Sequence, residues 1–293
     1  MSRKKVKGLV ILLLAYFIAF VIGLLSFKVL GYFFDNVIIN IFLANVLSTI
    51  IIWLIGIVFK TASVYDPYWS VQTPVIGICL MIANNNYSFQ TILYLLCILF
   101  WSIRLTGNFI KTFHDLSYID WRYKMLKEKT KSFYQIVNLL GIHLVPTIIV
   151  YVASLPFFIY IIDNVNFSIF NITGLFLMVG ATLLELKADN DMHQFIKNRI
   201  SRSEINRNGV WKNSRHPNYL GEILFWYGVA LVLITSNLNY CLYIIGAILN
   251  NCLFLFISIP LAEKHMEKYK ENYLQYKKEV RMLIPIKKLR RKI

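Results

Sequence analysis

The chain has 293 residues, of which 57% are hydrophobic and 16% charged, with a mean hydropathy of +0.57. Soluble domains run nearer about 45–50% apolar and about 25% charged, so a water-soluble globular domain is excluded. The net charge of +16 would favour nucleic acid in a soluble protein. Here the positive residues sit in loops between long apolar runs, where they set topology, so no nucleic-acid partner is expected. Cys79, Cys97, Cys241 and Cys252 fall in apolar runs without a CxxC pair. They read as small buried apolar residues and give neither a disulfide framework nor a zinc site.

The expected class is an all-α integral membrane bundle. The basic start MSRKKVKG leads into an apolar run from Leu9 to Phe27, 19 residues long and with no small-residue cleavage site after it. It reads as a first span and not as a removable signal peptide. Further helices are expected over Val37–Phe59, Val71–Ala83, Phe89–Ile103, Leu139–Ile162, Ile169–Leu186, Tyr219–Thr235 and Tyr240–Leu261. Val71–Ala83 is short. If it crosses there are eight spans, and if it is re-entrant there are seven. The tail from Glu263 to Leu283 reads as one surface helix after Pro260, ended by Pro285.

Lysine and arginine cluster in four places: residues 1–8, 104–138, 187–219 and 260–293 hold 29 of the 31. Only Lys28 and Lys60 lie elsewhere. The positive-inside rule puts all four segments in the cytoplasm. Both termini then share a side, which requires an even number of crossings and favours eight.

The densest polar stretch is Asn208–Gly228, NGVWKNSRHPNYLGEILFWYG. Pro217 suits the first turn of a helix, with Ser214 as a cap before it. Helical spacing then places Asn218, Glu222 and Phe225 on one face. Gly221 leaves room beside Glu222. Arg215 and His216 precede the helix, where free backbone N–H groups and the dipole favour an anion. The segment therefore offers a phosphate-binding mouth with an amide and a carboxylate deeper in. A charge retained in a bilayer costs on the order of 2.5–3.5 kcal/mol and marks a task.

Glu185 and Asp189 are one turn apart, flanked by Lys187 and His193, and their carboxylates suit ribose hydroxyls or an adenine amine. His265, Tyr269, Tyr273 and Tyr276 recur at helical spacing along one expected face. The histidines are scattered without HExxH or paired-Cys spacing, so no metal site is expected. In the N-terminal half, SVYDPYWS places Tyr65, Asp66 and Tyr68 around Pro67, which biases Asp66 away from helix. Broken backbone at a membrane boundary suits a pocket wall. Arg104, Arg122 and Tyr123 are weaker candidates.

These residues resemble a known family. Gly209–Gly228 is similar to the C-terminal signature of the steroid 5-alpha-reductase superfamily, closest to the membrane-reductase branch whose members carry a Ser-Arg-His-Pro-Asn-Tyr-x-Gly-Glu string. Asp66-Pro67-x-Trp69-Ser70, Asp120-x-Arg122-Tyr123, Glu263 with Tyr269, Tyr276 and Leu283-Ile284-Pro285 look like that branch too. The resemblance divides the chain into N-terminal spans (1–60), a reductase-like membrane domain (61–286) with a cofactor-binding half near 181–286, and a basic tail (287–293).

The resemblance implies an NADPH-dependent membrane reductase acting on a carbon–carbon double bond of a lipid-like substrate, such as a 3-oxo-steroid or another enone. Asp189, Asn218, Gly221, Glu222 and Tyr269 would border the cofactor, with Arg215, His216, Tyr219 and His265 beside them. Tyr65, Asp66 and Tyr68 are the candidate catalytic donors. The expected setting is a multi-pass protein of a bacterial cytoplasmic membrane or the endoplasmic reticulum, with the bilayer and a lipid-like small molecule as partners. The Arg-His-Pro-x-Tyr-x-Gly core also occurs in isoprenylcysteine and phospholipid methyltransferases. The alternative is therefore an S-adenosylmethionine-dependent membrane methyltransferase, against which the Asp-Pro-x-Trp-Ser block and the chain length weigh.

Overall fold

A computed structural model describes residues 2–285; the expected basic tail, 287–293, lies outside them. Those residues form helices and no strand. The helices are α1 (Arg3–Leu30), α2 (Val37–Val58), α3 (Tyr68–Ala83), α4 (Phe89–Thr112), α5 (Trp121–Ile162), α6 (Asn171–Asn198), α7 (Pro217–Ser236), α8 (Leu238–Tyr269) and α9 (Tyr273–Glu279). Seven of these, all but α3 and α9, are long and apolar enough to cross a membrane, the mark of a multi-pass membrane protein. The eighth apolar segment is real but short. At 1.5 Å per residue the 16 residues of α3 reach about 24 Å, less than the roughly 30 Å hydrocarbon core.

Sequence chemistry explains most boundaries. Ser2 and Asn36 cap α1 and α2, their side chains accepting from the backbone N–H groups of Lys5 and of Ile38 and Ile39. Pro217 stands at the start of α7. The expected Ser214 cap is not made: His216 is the cap residue, without a side-chain bond to the helix, and Ser214 Oγ accepts from His216 N at 3.3 Å. In α5 the backbone is left-handed at Lys131 (φ 46°), which separates an N-terminal surface stretch from the span. A π-turn follows at Asn138–Leu144.

The tail departs from expectation. One helix from Glu263 to Leu283 is replaced by the end of α8, a left-handed Asn272 (φ 55°) and the short α9. Tyr273 and Tyr276 are buried while Tyr269 is exposed, so the four residues from His265 to Tyr276 share no continuous face. The cysteines are free; Cys97 is buried, but Cys241 is exposed, unlike its expected place.

The chain separates into two compact units. One comprises the residues up to Ile78 with Leu105–Val152; the other comprises Cys79–Arg104 with the residues from Ala153 on. In the first, α1 and α2 pack closely, with Ser48 Oγ donating to Ala19 O at 2.9 Å. In the second, α6 and α7 approach backbone to backbone. A Cβ on Gly228 would lie 2.9 Å from Met178 N and 3.0 Å from Gly174 O, and one on Gly221 would lie 2.9 Å from Ala181 O. Small residues allow this contact, as in membrane helix pairs generally. Asn171 locks its far end by donating to Val232 O at 2.5 Å, and Tyr94 of α4 donates to Val229 O of α7 at 2.6 Å.

Candidate functional site

The close α6–α7 contact brings Glu185 and Glu222 together, and Arg104 from α4 enters between them. Its guanidinium pairs with Glu185, with Asp189 Oδ2 at 2.9 Å and with Glu222 Oε2 at 3.5 Å. All four side chains are buried or nearly so. Three carboxylates therefore surround one cation, leaving two formal negative charges in excess when all are ionised. Glu222 is further held by two indoles: Trp101 Nε1 donates to Oε2 at 3.0 Å and Trp226 Nε1 to Oε1 at 2.9 Å. Trp101 stacks on Phe225 with ring centroids 4.8 Å apart. Glu185 Oε2 is taken by the Arg104 guanidinium, while Glu185 Oε1 and the Nε of Arg104 make no hydrogen bond in the protein. The centre thus holds one unused acceptor oxygen and one unused donor, an unstable arrangement in a low dielectric unless a ligand, a proton or water meets them.

Beyond this centre a loop is fastened to α6. Asp191 accepts from Lys187 Nζ and from Val210 N at 3.0 Å, and Trp211 Nε1 donates to Ala188 O at 3.0 Å. Gly209 has φ +56°, and a Cβ there would collide with the Asp191 carboxylate.

Arg215 and His216 face the tail. Arg215 Nε donates to Glu263 Oε1 at 2.8 Å, and its Nη1 donates to the carbonyls of Val280 at 2.5 Å and Lys277 at 3.2 Å. His216 Nε2 lies 3.3 Å from Glu263 Oε1, and Lys277 Nζ lies 2.9 Å from Glu263 Oε2. Backbone bonds from Arg215 N to Arg281 O and from His216 N to Met282 O complete a latch. Tyr276 closes it, its hydroxyl donating to Trp211 O at 2.5 Å. Burial pushes the phenols of Tyr273 and Tyr276 well above the usual tyrosine range.

Of the expected cofactor residues, Asp189 and Glu222 thus meet at Arg104, with Gly221 opening the helix contact. Arg215 and His216 meet at Glu263. Tyr219 stacks on His216, ring centroids 5.3 Å apart, and Asn218 is half-buried one turn before Glu222. His265 and Tyr269 pair with each other at 4.6 Å on α8.

The other unit holds Tyr65 and Tyr68, both buried, and Asp66, which is half-buried. Thr49 Oγ1 donates to Asn45 O at 2.9 Å, so the 3.2 Å contact with Thr147 Oγ1 must carry Thr147's proton. Tyr65 must then donate to Thr147 at 2.9 Å. The phenol proton is therefore engaged and the phenol oxygen keeps free lone pairs. Asp66 accepts from Tyr123 OH, and burial raises its carboxyl above the usual range. His143 was not among the expected residues. It sits fully buried in the π-turn with its ring 4.7 Å from that of Tyr65. Its Nδ1 lies 3.1 Å from Asn138 O, which fixes that nitrogen as the donor, and its Nε2 has no partner. π-turns recur at functional sites, but no sequence pattern announces one.

A family model described as "Protein of unknown function (DUF1295)" matches residues 52–280. The chain belongs to that family. The DUF1295 match takes in Arg104, the three carboxylates, the side chains of the Glu263 latch and the Tyr65–His143 pair. Neither curated proteins nor solved structures provide a match.

Proposed function

We propose that this DUF1295 protein is a membrane enzyme that reduces a carbon–carbon double bond of a lipid-like enone with NADPH. The observation that carries the reading is the buried centre of Arg104, Glu185, Asp189 and Glu222 on adjoining helix faces. Kinship between DUF1295 and steroid 5-alpha-reductase-like proteins supports it. The donor set fits the cofactor: Glu185 Oε1, left free by Arg104, suits a carboxamide or ribose donor, and the end of α6 with the loop after it carries Lys197, Arg199, Arg202 and Lys212 for phosphates.

When bound, the cofactor supplies a hydride for the β-carbon. Asn218, Gly221, Tyr219 and the carboxylate centre would hold it, with His265 and Tyr269 as further contacts. Arg215 and His216 act on it through the Glu263 latch, since the guanidinium already has protein partners. The substrate oxygen gains negative charge during reduction and needs a hydrogen-bond donor. Tyr65 is the donor we favour: a substrate oxygen would compete with Thr147 Oγ1 for its proton. Asp66 and Tyr68 are the alternatives, Asp66 because burial favours its protonated form.

Protein purified in detergent tests the cofactor directly. NADPH is expected to raise the midpoint of thermal unfolding and S-adenosylmethionine to leave it unchanged. The reverse result would replace the reductase by the methyltransferase. In a turnover assay with an enone, Tyr65→Phe is expected to lower kcat by about 10²-fold, with Asp66→Asn and Tyr68→Phe as comparisons.

A further inference from the structure

The first unit also holds a cavity of about 120 Å³ at the end of α2, which shares Asn138 with the Tyr65–His143 cluster. Its polar lining is Lys60, Thr61, Lys127, Tyr134, Gln135 and Asn138. No carboxylate lines it, and neither lysine forms an ion pair among the described residues. Lys127 Nζ lies 6.0 Å from the Tyr134 ring centroid. Asn138 is buried, and its Oδ1 has no partner while its Nδ2 donates to Gln135 Oε1 at 3.3 Å. At about 30 Å³ per water the space holds roughly four waters, room for a tetrahedral oxyanion.

Lys60 is placed here by backbone geometry. Its N–H bonds to Ile57 O at 3.1 Å and the N–H of Thr61 to Gly56 O at 2.9 Å, the paired bonds that end a helix in a left-handed residue. That residue is usually glycine, yet here a lysine takes φ 56°, at a conformational cost that glycine would avoid. Beside the lining residues stand the exposed apolar side chains of Val58, Phe59, Phe133 and Ile136. Two exposed lysines without an ion pair, lining a small polar cavity whose residues are next in sequence to exposed apolar side chains, match a phosphate carried on acyl chains better than a soluble ion.

We propose that this cavity binds the phosphate of an anionic phospholipid, held by Lys60 and Lys127 with its chains along the Val58–Phe59 and Phe133–Ile136 surfaces. A zwitterionic headgroup fits less well, because its ammonium would meet two lysines and no carboxylate. By the charge pattern the cavity faces the cytoplasmic leaflet, where anionic lipids concentrate. The site is independent of the reductase reading.

The test uses the full chain in detergent with three probes: a short-chain phosphatidic acid, phosphatidylcholine of the same chain length, and inorganic phosphate. Phosphatidic acid is expected to raise the thermal midpoint of the parent protein, phosphatidylcholine to do so by less than half as much, and inorganic phosphate not at all. The double variant Lys60→Ala/Lys127→Ala should lose most of the phosphatidic acid shift. Lys60→Gly relieves the left-handed backbone, so it should raise the midpoint without lipid while weakening the lipid response. An equal shift with inorganic phosphate would make the ligand a soluble anion and overturn the lipid assignment. An undiminished phosphatidic acid response in both variants, or no response in the parent, would overturn the site itself.

Discussion

Glu222 accepts from two indole N–H groups and pairs with Arg104, so the amide of Glu222→Gln would turn a donor toward one of them. That loss costs about 1–3 kcal/mol, but removing one of three crowded carboxylates relieves repulsion of similar size. The variant is therefore expected to fold with a near-parental thermal midpoint and to lose NADPH protection; retained protection would count against the proposed cofactor site. Arg104→Gln removes the one cation instead. It should destabilise by about 3–5 kcal/mol, and adding Glu185→Gln should recover part of that, which a double-mutant cycle by thermal unfolding would measure. The carboxylates were legible in the sequence as expensive charges near span ends, and Glu185 and Asp189 as one helix face. Arg104 as their hub was not: the pairing spans 81 residues to Glu185 and depends on how closely α6 meets α7. The partnerless Nε2 of His143 was hidden for a similar reason, since a π-turn shifts a side chain without any residue signature.

Among the elements, α9 shows how a short helix of seven residues is held in place. Alone it is too short to persist in water; its position comes from Arg215, Glu263, Lys277 and the Tyr276 hydroxyl. The sequence supplied the members of this latch but suggested one long helix, because helical spacing continues across Asn272, where the backbone turns left-handed. Glu263→Ala strips the shared partner from Arg215 and Lys277. It should cost about 3–5 kcal/mol locally and expose Lys277 and Arg281 to trypsin, read as faster cleavage of the tail. The latch also predicts a pH response. Tyr273 and Tyr276 have folded pKa values raised by burial, so their contribution is intact below the unfolded value of about 10 and is lost as pH rises toward the folded values. Tail cleavage by an alkali-tolerant protease should accelerate above about pH 10, and the Tyr276→Phe variant should show less of that acceleration.

For the whole molecule, the number of crossings decides which side the ends occupy. Seven long helices alone would put the termini on opposite sides. The charge pattern demands the same side, and among the described residues only α3 can supply the eighth crossing. Its 16 residues contain Pro74 and reach about 24 Å, so a crossing by α3 requires the buried turn from Thr61 to Pro67, or a locally thinned bilayer, to make up several ångströms. That turn is well suited to the interior: Ala62, Val64 and Tyr65 are buried and Tyr16 OH donates to Val64 O at 2.8 Å, so its backbone is satisfied inside protein, as irregular chain at membrane depth must be. The alternative, α3 re-entrant, would place either the 1–8 or the 104–138 basic segment outside, against a bias carried by 29 of 31 positive residues. Eight crossings with both ends cytoplasmic are therefore expected. Single cysteines introduced at residue 2 and residue 293 of a variant lacking the native four, probed with an impermeant maleimide on intact cells, should both stay unlabelled until the membrane is opened. Labelling at one end alone would establish seven crossings and make α3 a re-entrant helix.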